Sequence, residues 1–157
     1  MIDFTHAQQR FTYRAAAIIL HHRRVLLTRA DGMDYWCLPG GRVEFGETSV
    51  EALTREVLEE LDEPVQIERL IWIAESFVRD EGNAVHAIGF HFLASFAPSS
   101  PLYQQSGPFR SPHAHEGLTF QWHDLADLHA LLLYPPFLVP GLQALPEHPV
   151  HLLDQRM

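Results

Sequence analysis

Three glutamates between residues 56 and 60 carry side chains that could bind a metal ion together. Glu56, Glu59 and Glu60 stand at positions i, i+3 and i+4, so on an α-helix their carboxylates share one face. Like charges at this spacing repel each other, and a hard divalent cation that prefers oxygen ligands would remove that repulsion. Acidic faces of surface helices are common, however, and the three glutamates alone favour a solvated face over a metal site.

The glutamates belong to a longer pattern that begins at a pair of glycines. Five residues separate Gly41 from Glu47, and seven more separate Glu47 from Arg55. The segment resembles the Nudix box, G-x5-E-x7-R-E-U-x-E-E-x-G-U, in which U is a bulky aliphatic residue. The matching residues are Gly41, Glu47, Arg55, Glu56, Val57, Glu59 and Glu60. We therefore expect a MutT-like member of the Nudix hydrolase family, with its subclass unassigned.

Two positions depart from the family pattern at the end of the box. Asp62 stands where the family has glycine, and Glu63 stands where it has an aliphatic residue. The glycine position is expected to end the helix in a left-handed backbone conformation, which Asp tolerates better than most residues. The departures are thus expected to weaken local packing more than chemistry.

The resemblance implies a site that uses Mg²⁺, with Mn²⁺ as a possible substitute. Its metal ligands would be the side chains of Glu56, Glu59 and Glu60 and the carbonyl of Gly40. Glu47 would support the metal site, and Arg55 would orient a neighbouring glutamate through a charge-assisted hydrogen bond. Glu116 lies six residues before Trp122. In some family members a glutamate so placed reaches the metal cluster or acts as general base, and an ordinary loop acid is the equal alternative.

Other residues are candidates for contact with a substrate. Gly40 and Gly41 lack side chains, so their loop can approach a metal ion and a phosphate closely. Arg79 could hold a phosphate. Contacts of this kind are also open to Arg14, Trp36 and Phe77, although aromatic residues on strands are more often part of a core.

The resemblance implies hydrolysis of a diphosphate linkage in a nucleoside diphosphate derivative by metal-activated water. Residues 77–80 lack the family's markers for ADP-ribose and for dinucleoside polyphosphates, so the substrate stays unassigned. Two alternatives remain open. One is a catalytically weak sensor domain that binds a nucleotide derivative, and the other is a structural domain with an acidic helix.

Local patterns predict the elements that would position these residues. A helix is expected from Thr48 to Leu61, with Val50, Leu53 and Val57 on an apolar face together with Leu61. The predicted strands are 12–21, 25–29, 66–79, 84–96 and 118–122, with residues 80–83 as a hairpin turn. Residues 97–115 are expected to form a long loop, residues 124–133 a helix, and the tail after Pro135 one more helix. We expect a single domain, residues 1–157, of the α/β class, namely a Nudix-type α/β/α sandwich with a mixed sheet.

The amino-acid composition excludes several classes of function. All eleven basic residues are arginine and the net charge is −9. The absence of lysine excludes a P-loop and Schiff-base catalysis, and an acidic chain is a poor non-specific binder of nucleic acid. No apolar run approaches the length of a membrane span, and the single cysteine, Cys37, fits a cytoplasmic protein. The expected partner is a small-molecule nucleotide, and a homodimer is possible.

Overall fold

Two long parallel strands, residues 9–21 and 83–96, form the centre of the fold. The computed structural model describes residues 1–111 and 117–156. Its strands are β1 (Asp3–His6), β2 (Gln9–His21), β3 (Arg24–Ala30), β4 (Gly40–Arg42), β5 (Val65–Asp80), β6 (Asn83–Phe96), β7 (Leu118–Asp124) and β8 (Val150–Arg156). Its helices are α1 (Ser49–Leu61), the short α2 (Leu138–Gly141) and two 3-10 helices, Pro101–Gln104 and Leu125–Ala130.

The strands form one mixed sheet in the order β7-β3-β2-β6-β5-β8, and β1 and β4 also pair with β2. The pairs β2–β6 and β5–β8 are parallel, and the other pairs are antiparallel. Glu81 and Gly82, both with positive φ, close the β5–β6 hairpin, as the turn residues predict.

Apolar side chains cover both faces of the sheet. On one face Leu53, Val57 and Leu61 of α1 are buried against the sheet. On the other face the apolar residues of the second 3-10 helix and of α2, represented by Leu128 and Leu138, form a separate core. The result is a helix layer on each side of a mixed sheet, which confirms the predicted fold class. No helix in the described part of the chain has the length and apolar character to cross a membrane.

Helix α1 begins and ends where the sequence predicts. The Thr48 hydroxyl accepts from the Glu51 backbone, and the Glu51 carboxylate accepts from the Thr48 backbone, so two otherwise unpaired donors are satisfied. Asp62 ends the helix in the left-handed conformation, with φ 55° and ψ 29°. The predicted apolar face is wrong at Val50, which is 41% exposed because it lies in the first turn, away from the sheet.

Several local predictions were wrong. The helix predicted over residues 124–133 is the shorter 3-10 helix, because Leu125, Leu128 and Leu131 recur every third residue, the period of a 3-10 helix. Residues 97–111 are not a free loop, since Pro101–Gln104 is helical and the carbonyl of Leu102 accepts from the Trp122 indole at 2.8 Å. The predicted tail helix is only α2, and the chain then continues into β8.

Candidate active site

At Gly40 and Gly41, neighbouring atoms already occupy the space that a side chain would need. Strand β4 pairs with β2 so that Gly40 lies opposite Ala16 and Gly41 opposite Ala15. Gly40 has φ 140°, and a Cβ atom there would overlap the Ala15 carbonyl oxygen. A Cβ atom on Gly41 would overlap the carboxylate of Glu56. The Glu56 carboxylate therefore rests directly on the glycine turn.

Glu60 is a buried carboxylate beside the same turn. It is 8% exposed, and its Oε2 atom has no hydrogen-bond partner among the described residues. Burial, and then the negative charge of Glu56, raise the pKa of Glu60 to about 8, against the opposing influence of Arg14 and of a hydrogen bond from the Gly40 backbone. A buried carboxylate in this state requires either a proton or a nearby cation.

Arg55 holds the surrounding glutamates. Its Nε and Nη2 atoms donate to Glu47 at 3.2 and 2.7 Å, and Nη1 donates to Glu56 at 3.0 Å and Glu59 at 3.4 Å. The hydrogen bonds from Arg55 hold the pKa of Glu47 below its ordinary value. Nη2 also donates to the Arg42 carbonyl at 3.2 Å, which ties helix α1 to strand β4.

The structure brings the box residues together without forming a closed ligand set. In the part of the chain that the structure describes, no group of three or more His, Cys, Asp or Glu side chains is placed to hold a metal ion. Glu56 and Glu59 turn toward Arg55, with side chains 18% and 44% exposed, while Glu60 is buried. Glu116 lies outside the described residues.

Two observations nevertheless fit a divalent cation at this corner. The Oε2 atom of Glu60 is a buried acceptor that receives no hydrogen bond from the described residues. Because Gly41 has no side chain, the Glu56 carboxylate can occupy the space beside the turn. Carboxylate and carbonyl oxygens are the donors that Mg²⁺ prefers. The ligand set thus stays a prediction, and it consists of the carbonyl of Gly40 and the carboxylates of Glu56, Glu59 and Glu60. The donor atoms of this set are of the type that Mg²⁺ prefers.

A cleft of about 390 Å³ opens next to the glycine turn. Strands β2, β5 and β6 form its floor, and Tyr35 and Tyr134 border it. Arg79, the candidate phosphate contact, lines the cleft, and so does Arg14. Six further polar or charged residues that line the cleft were not predicted as substrate contacts: Arg10, Thr12, Arg42, Ser76, Asp80 and His91. The alternation of residues along β2 could have indicated Arg10 and Thr12, whereas His91 lies within an apolar run and gave no such signal.

The two aromatic candidates do not line this cleft. Trp36 is 6% exposed and belongs to the core, with the Arg29 guanidinium 4.6 Å from its ring centroid. Phe77 stacks on His86 with ring centroids 4.4 Å apart and borders a separate cleft. Both aromatic side chains have packing roles in the structure.

Comparison with known protein families identifies the chain. The model of the NUDIX domain family matches residues 11–144 of 157, a stretch that contains the glycine turn, the glutamate helix and most of the cleft. The chain belongs to the NUDIX domain family. The family predicted from the box is therefore confirmed, and Nudix hydrolases generally use divalent metal ions and small nucleotide substrates.

Individual relatives agree with this family. A Bacillus subtilis (strain 168) protein, provisionally named an 8-oxo-dGTP diphosphatase, is 43% identical over 51 residues, which cover 32% of this chain and 34% of that protein. The match thus spans about a third of this relative's length. A MutT Nudix hydrolase from Burkholderia pseudomallei is 30% identical, with a TM-score of 0.52 and coverage of 75% of this chain and 86% of that one. A MutT protein from Bacillus halodurans shares the fold, with 21% identity, a TM-score of 0.65 and coverage of 92% and 89%.

Proposed function

We propose that this Nudix protein is a Mg²⁺-dependent pyrophosphohydrolase that cleaves the diphosphate linkage of a nucleoside diphosphate derivative, with Mn²⁺ as a possible substitute. The observation that carries the proposal is Glu60, a buried carboxylate with an unpartnered oxygen beside the glycine turn. The diphosphatase name of the Bacillus subtilis relative supports the reaction type.

We assign a role to each residue of the candidate site. Glu56, Glu59, Glu60 and the carbonyl of Gly40 would hold the metal ion. When bound, a divalent ion neutralises diphosphate oxygens and lowers the pKa of a coordinated water. Arg55 and Glu47 keep the carboxylates in place through the hydrogen bonds described above. The two glycines let strand β4 lie close to β2 and leave space for the Glu56 carboxylate beside the turn.

The reaction itself needs a proton acceptor. As the water oxygen bonds to phosphorus, the bridging P–O bond breaks and a proton passes to a carboxylate oxygen. Glu60 is assigned to the metal through its buried oxygen, so the acceptor is expected to be another carboxyl group. Glu116 is the candidate that the family resemblance implies.

The test is turnover of a panel of nucleotide derivatives with Mg²⁺, with and without a chelator. We expect product release that the chelator abolishes. Glu60→Gln should lower turnover by at least about 100-fold without unfolding the protein, because a misplaced group at a metal site typically costs that much. Glu63→Gln, which removes a neighbouring carboxylate at a position where the family has an aliphatic residue, is the matched control and should keep full activity.

Each outcome of this test has a clear meaning. Near-normal turnover in Glu60→Gln would contradict the assigned site. Tight binding of a nucleotide derivative without any turnover in the wild type would favour the sensor domain instead. Neither turnover nor metal binding would favour a structural domain.

A further inference from the structure

A row of four aromatic rings crosses four neighbouring strands at one end of the sheet. Phe4 lies opposite Phe11, Phe11 lies beside His86, and His86 lies opposite Phe77. Successive rings are in contact, with centroids 5.4, 5.5 and 4.4 Å apart. Because paired residues of neighbouring strands point to the same side, all four rings project from one face of the sheet. These four residues form the aromatic row.

Helix α1 covers this face of the sheet only beyond the aromatic row. Its apolar side chains pack on a core that includes Ala15 of β2 and Phe92 of β6. Six large apolar residues of the same face belong to neither core in the described part of the chain, namely Phe4, Phe11, Ile73, Phe77, Ile88 and Leu153. Together with Glu75, His86 and His151, these six residues form the open face.

The open face carries little net charge although the chain is strongly acidic. Glu75 is the one carboxylate of this face, and both of its oxygens have partners. His86 Nε2 lies 3.0 Å from Oε1, and His151 Nε2 lies 3.3 Å from Oε2. The net charge of −9 makes two copies of the chain repel each other in general. Contact through the open face would bring no unpaired carboxylates together, so its charges are compatible with a second copy.

The two ends of the open face differ in shape. At the β1 end, a groove of about 380 Å³ lies along the aromatic row. Arg10, the one arginine that lines this groove, forms an ion pair with Asp3 at 2.7 Å. At the β8 end, Leu153 protrudes and is 64% exposed. A protruding leucine and an aromatic groove on the same face can fill each other only when two copies meet.

A two-fold axis brings these two ends together. The strand order at this end of the sheet is β1-β2-β6-β5-β8, so β6 is central. When two such sheets stack face to face about an axis parallel to β6, β8 of each copy lies over β1 of the other. Each Leu153 then meets the groove of the partner, and both contacts form at once.

The area of the open face is sufficient for a reversible dimer. Five strands at a spacing of about 4.8 Å and three rows of side chains about 7 Å apart span about 24 by 20 Å. Two such faces would bury about 1,000 Å² in total, which is the lower limit for a specific interface. We therefore expect association in the micromolar range and not a permanent dimer.

We propose that two copies of this chain form a symmetric dimer through the open face, with Leu153 of each copy seated in the groove beside Phe4 and Phe11 of the other. The cleft beside the glycine turn lies on the opposite face of the sheet, because its residues Thr12 and Ser76 alternate with Phe11 and Phe77 along the strands. Dimerisation would leave that cleft open, so the proposal does not depend on the reaction.

Sedimentation velocity of the full chain, from about 1 to about 200 µM, tests the proposal. The wild type should pass from monomer to dimer with a Kd of about 1 to 50 µM. Leu153→Glu should raise the Kd at least about 100-fold, because each dimer would bury two carboxylates without partners. Phe4→Arg should have a similar effect, for the same reason. Phe4 is 57% exposed and Leu153 64%, so circular dichroism and the thermal midpoint should match those of wild type.

Leu132→Glu is the matched control. Leu132 is 60% exposed, and its neighbours Leu131 and Leu133 belong to the core on the opposite side of the sheet. The substitution introduces the same carboxylate on a protruding leucine outside the open face, so the Kd should stay that of wild type.

A mixture of the two variants tests the contact itself. In a heterodimer of Leu153→Glu with Phe4→Arg, one contact is that of wild type, and the other places the introduced carboxylate against the introduced guanidinium group. The mixture should therefore associate at least about tenfold more tightly than either variant alone.

Three results would overturn the proposal. The first is a wild type that stays monomeric at 200 µM, and the second is a Leu153→Glu variant that dimerises like wild type. The third is a mixture that associates no better than the separate variants, since Leu153 would then not contact the groove at Phe4. None of these results depends on turnover.

Discussion

Replacing Gly41 by alanine is expected to remove most of the activity at little cost in stability. The three atoms closest to an added Cβ are Cδ, Oε1 and Oε2 of Glu56. These atoms form the free end of a flexible side chain, which can rotate away. We therefore expect the free energy of unfolding to fall by no more than about 1 kcal/mol, the cost of a strained rotamer.

The catalytic cost of Gly41→Ala should be much larger. Rotation of Glu56 moves a candidate ligand away from the glycine turn and breaks its 3.0 Å hydrogen bond with Arg55. Displacement of one group at a metal site typically lowers kcat about 100-fold, which corresponds to about 3 kcal/mol of transition-state stabilisation. The assay is kcat on the best substrate of the panel, alongside urea unfolding followed by circular dichroism.

Gly40→Ala is the matched control because it places the same methyl group against backbone. Gly40 has φ 140°, and the added Cβ would overlap the carbonyl oxygen of Ala15 and crowd the Cα atom of Ala16. Backbone atoms in a central strand cannot rotate away, so Gly40→Ala should lose at least about 2 kcal/mol of stability. The two glycine variants should thus separate a loss of activity from a loss of stability.

A double variant decides whether Gly41 acts through Glu56. In a Glu56→Ala background the obstructing carboxylate is gone, so adding Gly41→Ala should lower kcat by less than about threefold more. Full activity in Gly41→Ala, or independent multiplicative losses in the double variant, would refute the reasoning that the glycine makes room for a functional carboxylate.

Three further predictions concern stability. Burial lowers the pKa of His91 to about 4 from its ordinary 6.5. The unfolded chain therefore takes up a proton first as the pH falls, and the contribution of His91 to stability, complete above pH 6.5, should shrink by about 3 kcal/mol towards pH 4. Urea unfolding at several pH values should show a shallower pH dependence for His91→Phe, and an unchanged dependence would contradict this account. Thr48→Ala removes the helix cap and should cost about 1 kcal/mol in the same unfolding assay, with an unchanged midpoint as the contrary result. Because residue 62 is left-handed, Asp62→Gly should be more stable than Asp62→Ala by about 1 kcal/mol, and equal thermal midpoints would count against the strain argument.

The parts of the fold that the sequence predicts well are those specified by neighbouring residues. Helix α1 is defined by its cap at Thr48 and its stop at Asp62, and the hairpin by Glu81 and Gly82. Strands β4 and β8 escaped prediction because their pairing partners, β2 and β5, are distant in sequence. Strand β1 pairs with the adjacent β2, but three of its four residues are exposed, so no alternation of apolar and polar residues marks it. The residues of β8 are mostly exposed at the edge of the sheet, so no alternation of apolar and polar residues marks the strand.

In the candidate site, too, the sequence predicts the contacts that depend on neighbouring residues and not those that depend on how the elements pack. The spacing of the box places Glu47, Arg55 and Glu56 together, because all three positions are set by one loop and one helix. It could not show that Glu59 is half exposed while Glu60 is buried, since that depends on where the helix packs on the sheet. Nor could it show that Arg42 faces Arg14, which follows from the register between two strands.

The electrostatics of the helix follow from the limited number of donors on Arg55. A guanidinium group has five N–H donors, and Arg55 makes five hydrogen bonds: one from Nε, two from Nη1 and two from Nη2. All of these go to Glu47, Glu56, Glu59 and the carbonyl of Arg42, so no donor remains for Glu60. Because Glu60 is buried and Arg55 is fully engaged, its carboxyl needs either a proton or positive charge from outside the helix, of which Arg14 supplies a part. A divalent cation at the glycine turn would supply the rest of that charge, and this shortage of donors is a physical reason to seek a metal ion there.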